Sequence, residues 1–397
     1  MKLLHTADWH LGQIFYGYDR KPEHIQFIEW LKHQIRTLSV DVLLIAGDVF
    51  DTPNPSAESQ RLYYKFLRES INENPQLQIV IIAGNHDSAA RLEAPNPLLE
   101  EMNTTVRGIV KRTAEGDIDV NHLIIPLTGE RKVEAYCLAV PYLRQGDYPE
   151  AENYAQGVKK LYETLYQEVK EAGKPIIAMG HLQATGSEIS ENDRSERTII
   201  GGLECVPPDA FAESIAYTAL GHLHRTQRIS KRENVRYSGT PIPMSFSEKN
   251  NKHGVIYVEI KENDTTQINH IAFDAPVKLI NIHKPATEIF TEIEALPDGE
   301  ITPASPFLEI KVGITEPEPT LKNQIEEALK NKSVRLARIE QLTPQKEMDA
   351  KTITYEEFQT INPMDIALDI FKRRFGGETM PVKMKELLQS VIREEDV

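Results

Sequence analysis

Apolar residues follow two alternating rhythms along this chain. Short strand-like runs occupy residues 3–4, 42–46, 79–83, 176–179 and 216–220, and each gives way at once or within a few residues to glycine or a polar side chain. Between them lie stripes of helical period. Phe27, Trp30, Leu31, Gln34 and Leu38 predict one helix, with Gln34 its single polar lapse. Residues 56–71 predict a second, with Glu58, Arg61 and Lys65 on its exposed face. Val158, Leu161, Tyr162, Leu165 and Val169 predict a third, stopped by Gly173. Further strands are expected at 123–127, 135–140, 254–260 and 268–273. The pattern predicts an α/β fold over residues 1–275, a two-sheet sandwich flanked by helices. Either the helix beginning at Ser56 or residues 92–102 is expected to offer a dimer contact, although core-facing stripes look the same.

A boundary is expected at Asp274-Ala275-Pro276. Residues 276–342 then read as a small βαβαβ unit, with strands at 278–282, 307–312 and 334–339 and helices at 287–296 and 320–330. Residues 343–361 are polar and read as a linker. Residues 362–397 predict a helix–loop–helix. Asn362 caps its first helix, with Pro363 at the first position and Ile366, Ile370 and Phe371 on the apolar face. Met384, Leu387, Leu388 and Val391 mark the second. Two such helices hold too little core to stand alone. They either dock back on the parent domain or grip a partner, and the linker favours a partner.

The strand ends carry the chemistry. Five islands follow them: Asp8-Trp9-His10, Gly47-Asp48, Gly84-Asn85-His86-Asp87, Gly180-His181 and Gly221-His222-Leu223-His224. Strand ends gathered along one sheet edge are where α/β folds place their sites. Carboxylate, imidazole and amide oxygen together suit Mn²⁺, Fe²⁺ or Zn²⁺. No thiolate occurs in the islands, which argues against a structural zinc site. The two oxygens of Asp48 make it the natural bridge between two ions, and an ion pair about 3.5–4 Å apart can polarise a phosphate for in-line attack. Glycines before Asp48, Asn85, His181 and His222 allow close approach. Any one island is commonly a turn or a structural histidine. Five in this order, each behind a strand, point to a paired-metal phosphoesterase site.

Bulk composition fits a large globular enzyme. The chain has 397 residues, enough for two or three domains, with 40% hydrophobic and 26% charged residues. No apolar run approaches a membrane span, and the N-terminus enters the first strand directly, so neither a membrane anchor nor a signal peptide is expected. Two cysteines, Cys137 and Cys205, form no disulfide framework, and a cytoplasmic location is expected. A net charge of −15 excludes a protein that coats DNA with its whole surface. It leaves room for a local groove. Residues 222–252 hold Arg225, Arg228, Lys231, Arg232, Arg236, Lys249 and Lys252 against only Glu233 and Glu248, and Arg194 and Arg197 follow His181. These clusters are expected to guide a phosphate backbone.

Taken together, the islands resemble the signature of calcineurin-like metallophosphoesterases. Three stretches resemble the SbcD family of bacterial nuclease subunits within that group. They are Lys2-Leu3-Leu4-His5-Thr6-Ala7-Asp8-Trp9-His10-Leu11-Gly12, Ala46-Gly47-Asp48-Val49-Phe50-Asp51 and Tyr237-Ser238-Gly239-Thr240-Pro241-Ile242-Pro243. The resemblance implies one metal held by Asp8, His10, Asp48 and His224, and a second by Asp48, Asn85, His181 and His222. Both ions are expected to be Mn²⁺. It implies that His86 faces the scissile phosphate and stabilises or protonates the departing oxygen. Asp87 is expected to orient His86. Several relatives have a histidine where this chain has Asp51, so Asp51 either orders a water, holds His86, or caps the turn before Pro53. The resemblance further implies a homodimer within a heterotetramer. Residues 276–342 would cap the active site, and residues 362–397 would grip the coiled-coil root of an SbcC-type ATPase. The substrates implied are duplex DNA ends and hairpins. ATP use requires the partner, because this chain has no Gly-rich, Lys-containing phosphate loop.

Two other classes compete. A phosphatase of the same superfamily would carry an arginine after Gly-Asp-Val-Phe-Asp, where this chain has Thr52. A non-catalytic scaffold would have lost ligands, and all seven are present.

Overall fold

The apolar runs become strands buried on both faces. In a computed structural model, Val42–Ala46, Gln78–Ile82 and Tyr217–Gly221 are buried at every position. The structure describes residues 1–342 apart from 130–131, 188–204, 262–264 and 315–317, and only isolated residues between 364 and 385 beyond them. Continuous burial is what a parallel strand covered on both sides requires. Alternate side chains of Val42–Ala46 divide accordingly. Leu43 and Ile45 face a core shared with Phe27, Leu31 and Phe66 of the helices. Val42, Leu44 and Ala46 face a second core between the sheets, with Val80, Ile177, Met179 and Val258.

Two six-stranded sheets pack across that second core. The first runs in the order Thr266–Ala272, Gly254–Ile260, Lys2–Thr6, Val42–Ala46, Gln78–Ile82, Thr104–Arg107. Its last four strands are parallel. The second runs Gln227–Ile229, Arg232–Tyr237, Tyr217–Gly221, Ile176–His181, Lys132–Ala139, Ile124–Gly129, parallel through its middle. Helices Lys21–Leu38 and Ala57–Glu73 cover the first sheet, and Tyr154–Val169 covers the second. The Ser56 and Asn153 side chains cap the latter two by accepting from backbone N–H groups three residues on. The parallel strands of each sheet end on the same side, and all five islands lie there.

One helical expectation changes. The buried stripe of Lys21–Leu38 is Phe27, Ile28, Leu31 and Ile35, so Gln34 lies beside it and interrupts nothing. Residues 92–102 form no single helix. Pro95 and Pro97 break them into Ala89–Glu93 and Asn96–Glu100, because proline cannot continue a helical hydrogen-bond ladder.

A smaller parallel sheet follows, ordered Leu279–Pro285, Phe307–Gly313, Arg335–Leu342, with helices Ala286–Glu294 and Leu321–Ala328 on its core. It joins the larger sheets through Phe15, Phe246, Val277, Leu279 and Phe307. The Arg335 guanidinium lies 3.7 Å from the Phe307 ring centroid. Residues Met1–Leu342 thus form one compact unit. The expected linker at 343–361 lies outside the described residues, as does nearly all of the expected helix pair at 362–397.

His5 sits inside the inter-sheet core and shares a 2.8 Å hydrogen bond with the Tyr217 hydroxyl. Burial pushes its imidazole down to about 3. An unfolded histidine titrates near 6.5, so below that pH the unfolded chain takes up a proton that the folded chain refuses. Stability from this site is therefore intact above pH 6.5 and lost as pH falls toward 3. Between pH 7 and pH 5, His5→Gln should lose about 2 kcal/mol less stability than wild type, read from urea unfolding at each pH. Equal losses would contradict this burial.

Candidate metal centre

Backbone strain marks the site before any side chain is considered. Among the described residues nine non-glycine residues have positive φ. Four of them are Asp8 (54°), His10 (47°), Asp48 (47°) and His222 (100°). Left-handed backbone costs side-chain-bearing residues energy and survives where the surroundings over-determine it. Here crossing backbone bonds hold the loops. Asp8 N donates to Gly47 O at 3.0 Å, His10 N to Asp48 O at 3.0 Å, and Leu11 N to Val49 O at 2.9 Å. Two glycines are obligatory. A Cβ on Gly47 (φ +93°) would lie 2.2 Å from His181 Nδ1, and one on Gly84 would lie 2.1 Å from Asp48 Oδ1.

The structure brings all seven expected ligands, and His86, to one place. Ligand atoms of Asp8, His10 and His224 fall within 4.8 Å of one another, as do those of Asp8, Asp48 and His181 and those of His10, Asp48 and His86. Asn85 Oδ1 lies 2.9 Å from His181 Nε2 and 3.0 Å from His222 Nδ1. Asp48 Oδ2 lies 3.3 Å from the same His181 Nε2. Asp48 therefore touches both halves of the cluster.

This donor set fits a cation. His181 Nδ1 donates to the Ala46 carbonyl at 2.9 Å, which turns Nε2 toward two oxygens that only accept. Without a cation there, Nε2 must carry a proton. Burial opposes that charge, but Asp48 and Asp8 outweigh it and hold the His181 pKa up at about 9. Burial likewise opposes the Asp48 carboxylate, while His181, His10 and His86 hold its pKa far below the usual carboxylate range. Burial and the neighbouring His181 push His222 down to about 3, leaving it neutral and ready to ligate. The Nε2 of the buried His10 lacks a hydrogen bond among the described residues. A buried polar atom without a partner calls for one.

His86 is set differently. Its Nδ1 donates to the backbone carbonyl of Asp51 at 3.0 Å, so in the neutral ring the proton resides on Nδ1 and Nε2 is bare. Its backbone N–H donates to Asp48 Oδ1 at 2.8 Å. The Asp51 carboxylate turns instead to His10, 3.3 Å from Nδ1. Asp87 does not orient His86. Its carboxylate is occupied by the backbone N–H groups of Val49, Phe50 and Gly84, at 3.1, 2.9 and 2.9 Å. It staples two ligand loops together, and burial with the nearby Asp48 pushes its pKa up to about 6.

In the sequence Glu248 reads only as an acid diluting a basic stretch. In the fold it is buried, and its carboxylate lies 3.1 Å from His224 Nδ1 and accepts from Met244 N at 2.9 Å. A carboxylate behind a ligating imidazole fixes its orientation. At least three of the seven cations in the basic stretch have protein partners. Arg228 and Arg236 pair with Glu233, and Arg232 donates to the carbonyls of Pro208, Phe211 and Ala212. Arg194 and Arg197 lie outside the described residues.

A model of the calcineurin-like phosphoesterases matches residues 1–225. A second, described as the type 5 capsule protein repressor C-terminal domain, matches residues 275–378. The chain belongs to the calcineurin-like phosphoesterases. The SbcD subunit of the nuclease SbcCD from Rhodobacter capsulatus is 38% identical over 85% of this chain and 86% of its own. Its counterpart from Escherichia coli K12 is 28% identical over 98% and 96%. The Bacillus subtilis counterpart is 29% identical over 79% of each. Within the phosphoesterases, this chain falls in the SbcD family.

Two outcomes test the centre. Below about pH 9 a cation must displace the His181 proton, so affinity for a divalent ion should rise about tenfold per pH unit from 6.5 to 8.5, with proton release seen by calorimetry. Flat affinity would show that His181 binds no ion. Glu248→Gln should weaken binding about 10–100-fold while leaving the fold intact.

Proposed function

We propose that this chain is the nuclease subunit of an SbcCD-type complex and hydrolyses DNA phosphodiester bonds with two Mn²⁺ ions. The observation that carries the reading is the convergence of carboxylate, amide and imidazole donors from five separate loops on one buried cluster. Asp8, His10, Asp48 and His224 would hold one ion, and Asp48, Asn85, His181 and His222 the other. Mixed oxygen and nitrogen donors without sulfur suit Mn²⁺. When bound, the ions supply charge that polarises a phosphoryl oxygen and acidifies water.

The chain's own groups do the rest. His181 and His224 are each locked by a partner on the far ring nitrogen, the Ala46 carbonyl and Glu248, so both keep their aim as charge builds up. His86 is held by Asp51 O through Nδ1, and when the ring is protonated on both nitrogens its Nε2–H gives a proton to the departing oxygen, leaving the neutral ring. The Asp51 carboxylate stays with His10 and so acts on ligand position.

Family membership supports the wider assignment. Residues 276–342 cap the site and select DNA ends, and residues 362–397 dock on the coiled-coil root of an SbcC-type ATPase through a linker at 343–361. Substrates are duplex ends and hairpins, in a homodimer within a heterotetramer working in the cytoplasm. Among the described residues no helix is long and apolar enough to cross a membrane.

The test uses the purified chain with labelled single-stranded and hairpin DNA. Mn²⁺ should give cleavage and chelator should abolish it. His86→Ala should lower kcat about 10²–10⁴-fold with unchanged Mn²⁺ binding. Wild-type protein that binds Mn²⁺ and leaves both DNAs intact would refute the assignment.

A further inference from the structure

The loop after Lys132–Ala139 places one arginine beside the cluster. Val140 and Leu143 are buried, and Tyr142 N donates to Ala83 O at 2.8 Å, tying the loop to the strand end just before Gly84 and Asn85. The Tyr142 ring packs edge-on against His181, with centroids 6.2 Å apart. The Arg144 guanidinium lies 5.8 Å from the Tyr142 centroid. A closed turn fixes its backbone. Arg144 N donates to Asp147 Oδ2 at 2.8 Å, and Asp147 N donates back to Arg144 O at 3.0 Å. Arg112 clamps the same turn by donating to the Gly146 carbonyl at 2.6 Å.

Arg144 is exposed, and among the described residues no carboxylate pairs with its guanidinium. Other arginines in this part of the fold are committed. Arg20 is buried against Glu23, Arg91 bonds Asn54, and Arg228 and Arg236 bond Glu233. An aromatic shelf lowers the entropy cost of holding a guanidinium out toward solvent, and its planar fork suits two phosphate oxygens. On a chain of net charge −15, long-range attraction does not bring a polyanion to the site, so a local cation must.

We propose that Arg144 is a substrate-binding residue that grips a backbone phosphate next to the scissile one and sets the register of the strand on the cluster. This rests on the reading of the site as a DNA phosphodiesterase. Arg144 contributes a sequence-independent contact, and Tyr142 links that contact to His181.

The experiment measures kcat and KM of the full chain with Mn²⁺ on the hairpin DNA over a range of salt. Arg144→Gln should raise KM about five- to tenfold and flatten the slope of log KM against log salt by about 0.7–0.9, one phosphate contact. Its kcat should stay within about twofold. Arg144→Lys should restore the slope but only part of the KM, since it keeps charge and loses the fork. Lys174→Gln, an exposed cation elsewhere, is the control. Wild-type KM and slope in Arg144→Gln would overturn the proposal, as would a fall in kcat alone. Failure of the wild type to hydrolyse a small phosphodiester with Mn²⁺ would instead overturn the underlying reading.

Discussion

Charge buried where two sheets end is the constraint on which this structure depends. Asp8, Asp48 and His181 are almost wholly removed from water, and an isolated charge in such a place costs several kcal/mol. The chain tolerates them only together. Asp48 stays ionised because His181, His10 and His86 surround it, and His181 holds a proton because Asp48 and Asp8 surround it. The cluster is thus a stand-off between buried carboxylates and the protonated imidazole that balances them. Divalent cations relieve it, and for that reason binding, protonation and fold are linked at one point.

Keeping the groups converged costs conformational energy, and the structure shows what offsets it. Asp8, His10 and Asp48 lie on loops that bond to one another through the backbone, and His222 N donates to the Asp8 carboxylate at 3.0 Å. Asp87 adds three N–H acceptances across two loops, Glu248 fixes His224, and the Ala46 carbonyl fixes His181. None of these three touches the place where a phosphate would react. They determine whether those that do are aimed within the tolerance that catalysis needs. The inter-sheet core supplies the rigid platform, since strands with no exposed face cannot shift register without exposing their apolar side chains.

The ligand islands are legible in the sequence because glycine, histidine and aspartate directly after apolar strands are a local signal. Unbroken apolar runs make Val42–Ala46 and Gln78–Ile82 readable as covered strands for the same reason. What is not legible depends on distance in the chain. Nothing near Glu248 reveals that it backs His224, because the bend at 238–247 that returns it is a tertiary feature. Asp87 reads locally as a partner for its neighbour His86, yet its carboxylate crosses to Val49 and Phe50, 38 and 37 residues away. Likewise the basic run at 222–252 reads as free charge throughout, whereas Glu233 and three carbonyls engage Arg228, Arg232 and Arg236. Net charge along a sequence does not say which cations fold back on the backbone. In Lys21–Leu38 the expected Phe27, Trp30, Leu31 and Leu38 pack on the core, and only Gln34 gives way to its neighbour Ile35, a choice that packing against the sheet decides.

The central claim is that this cluster holds two divalent ions at once, bridged by Asp48. Crystals soaked in Mn²⁺ and measured at the manganese edge test it most directly. Two anomalous peaks are expected, one among Asp8, His10, Asp48 and His224 and the other among Asp48, Asn85, His181 and His222. A single peak away from Asp48, or none with these side chains ordered, would contradict it.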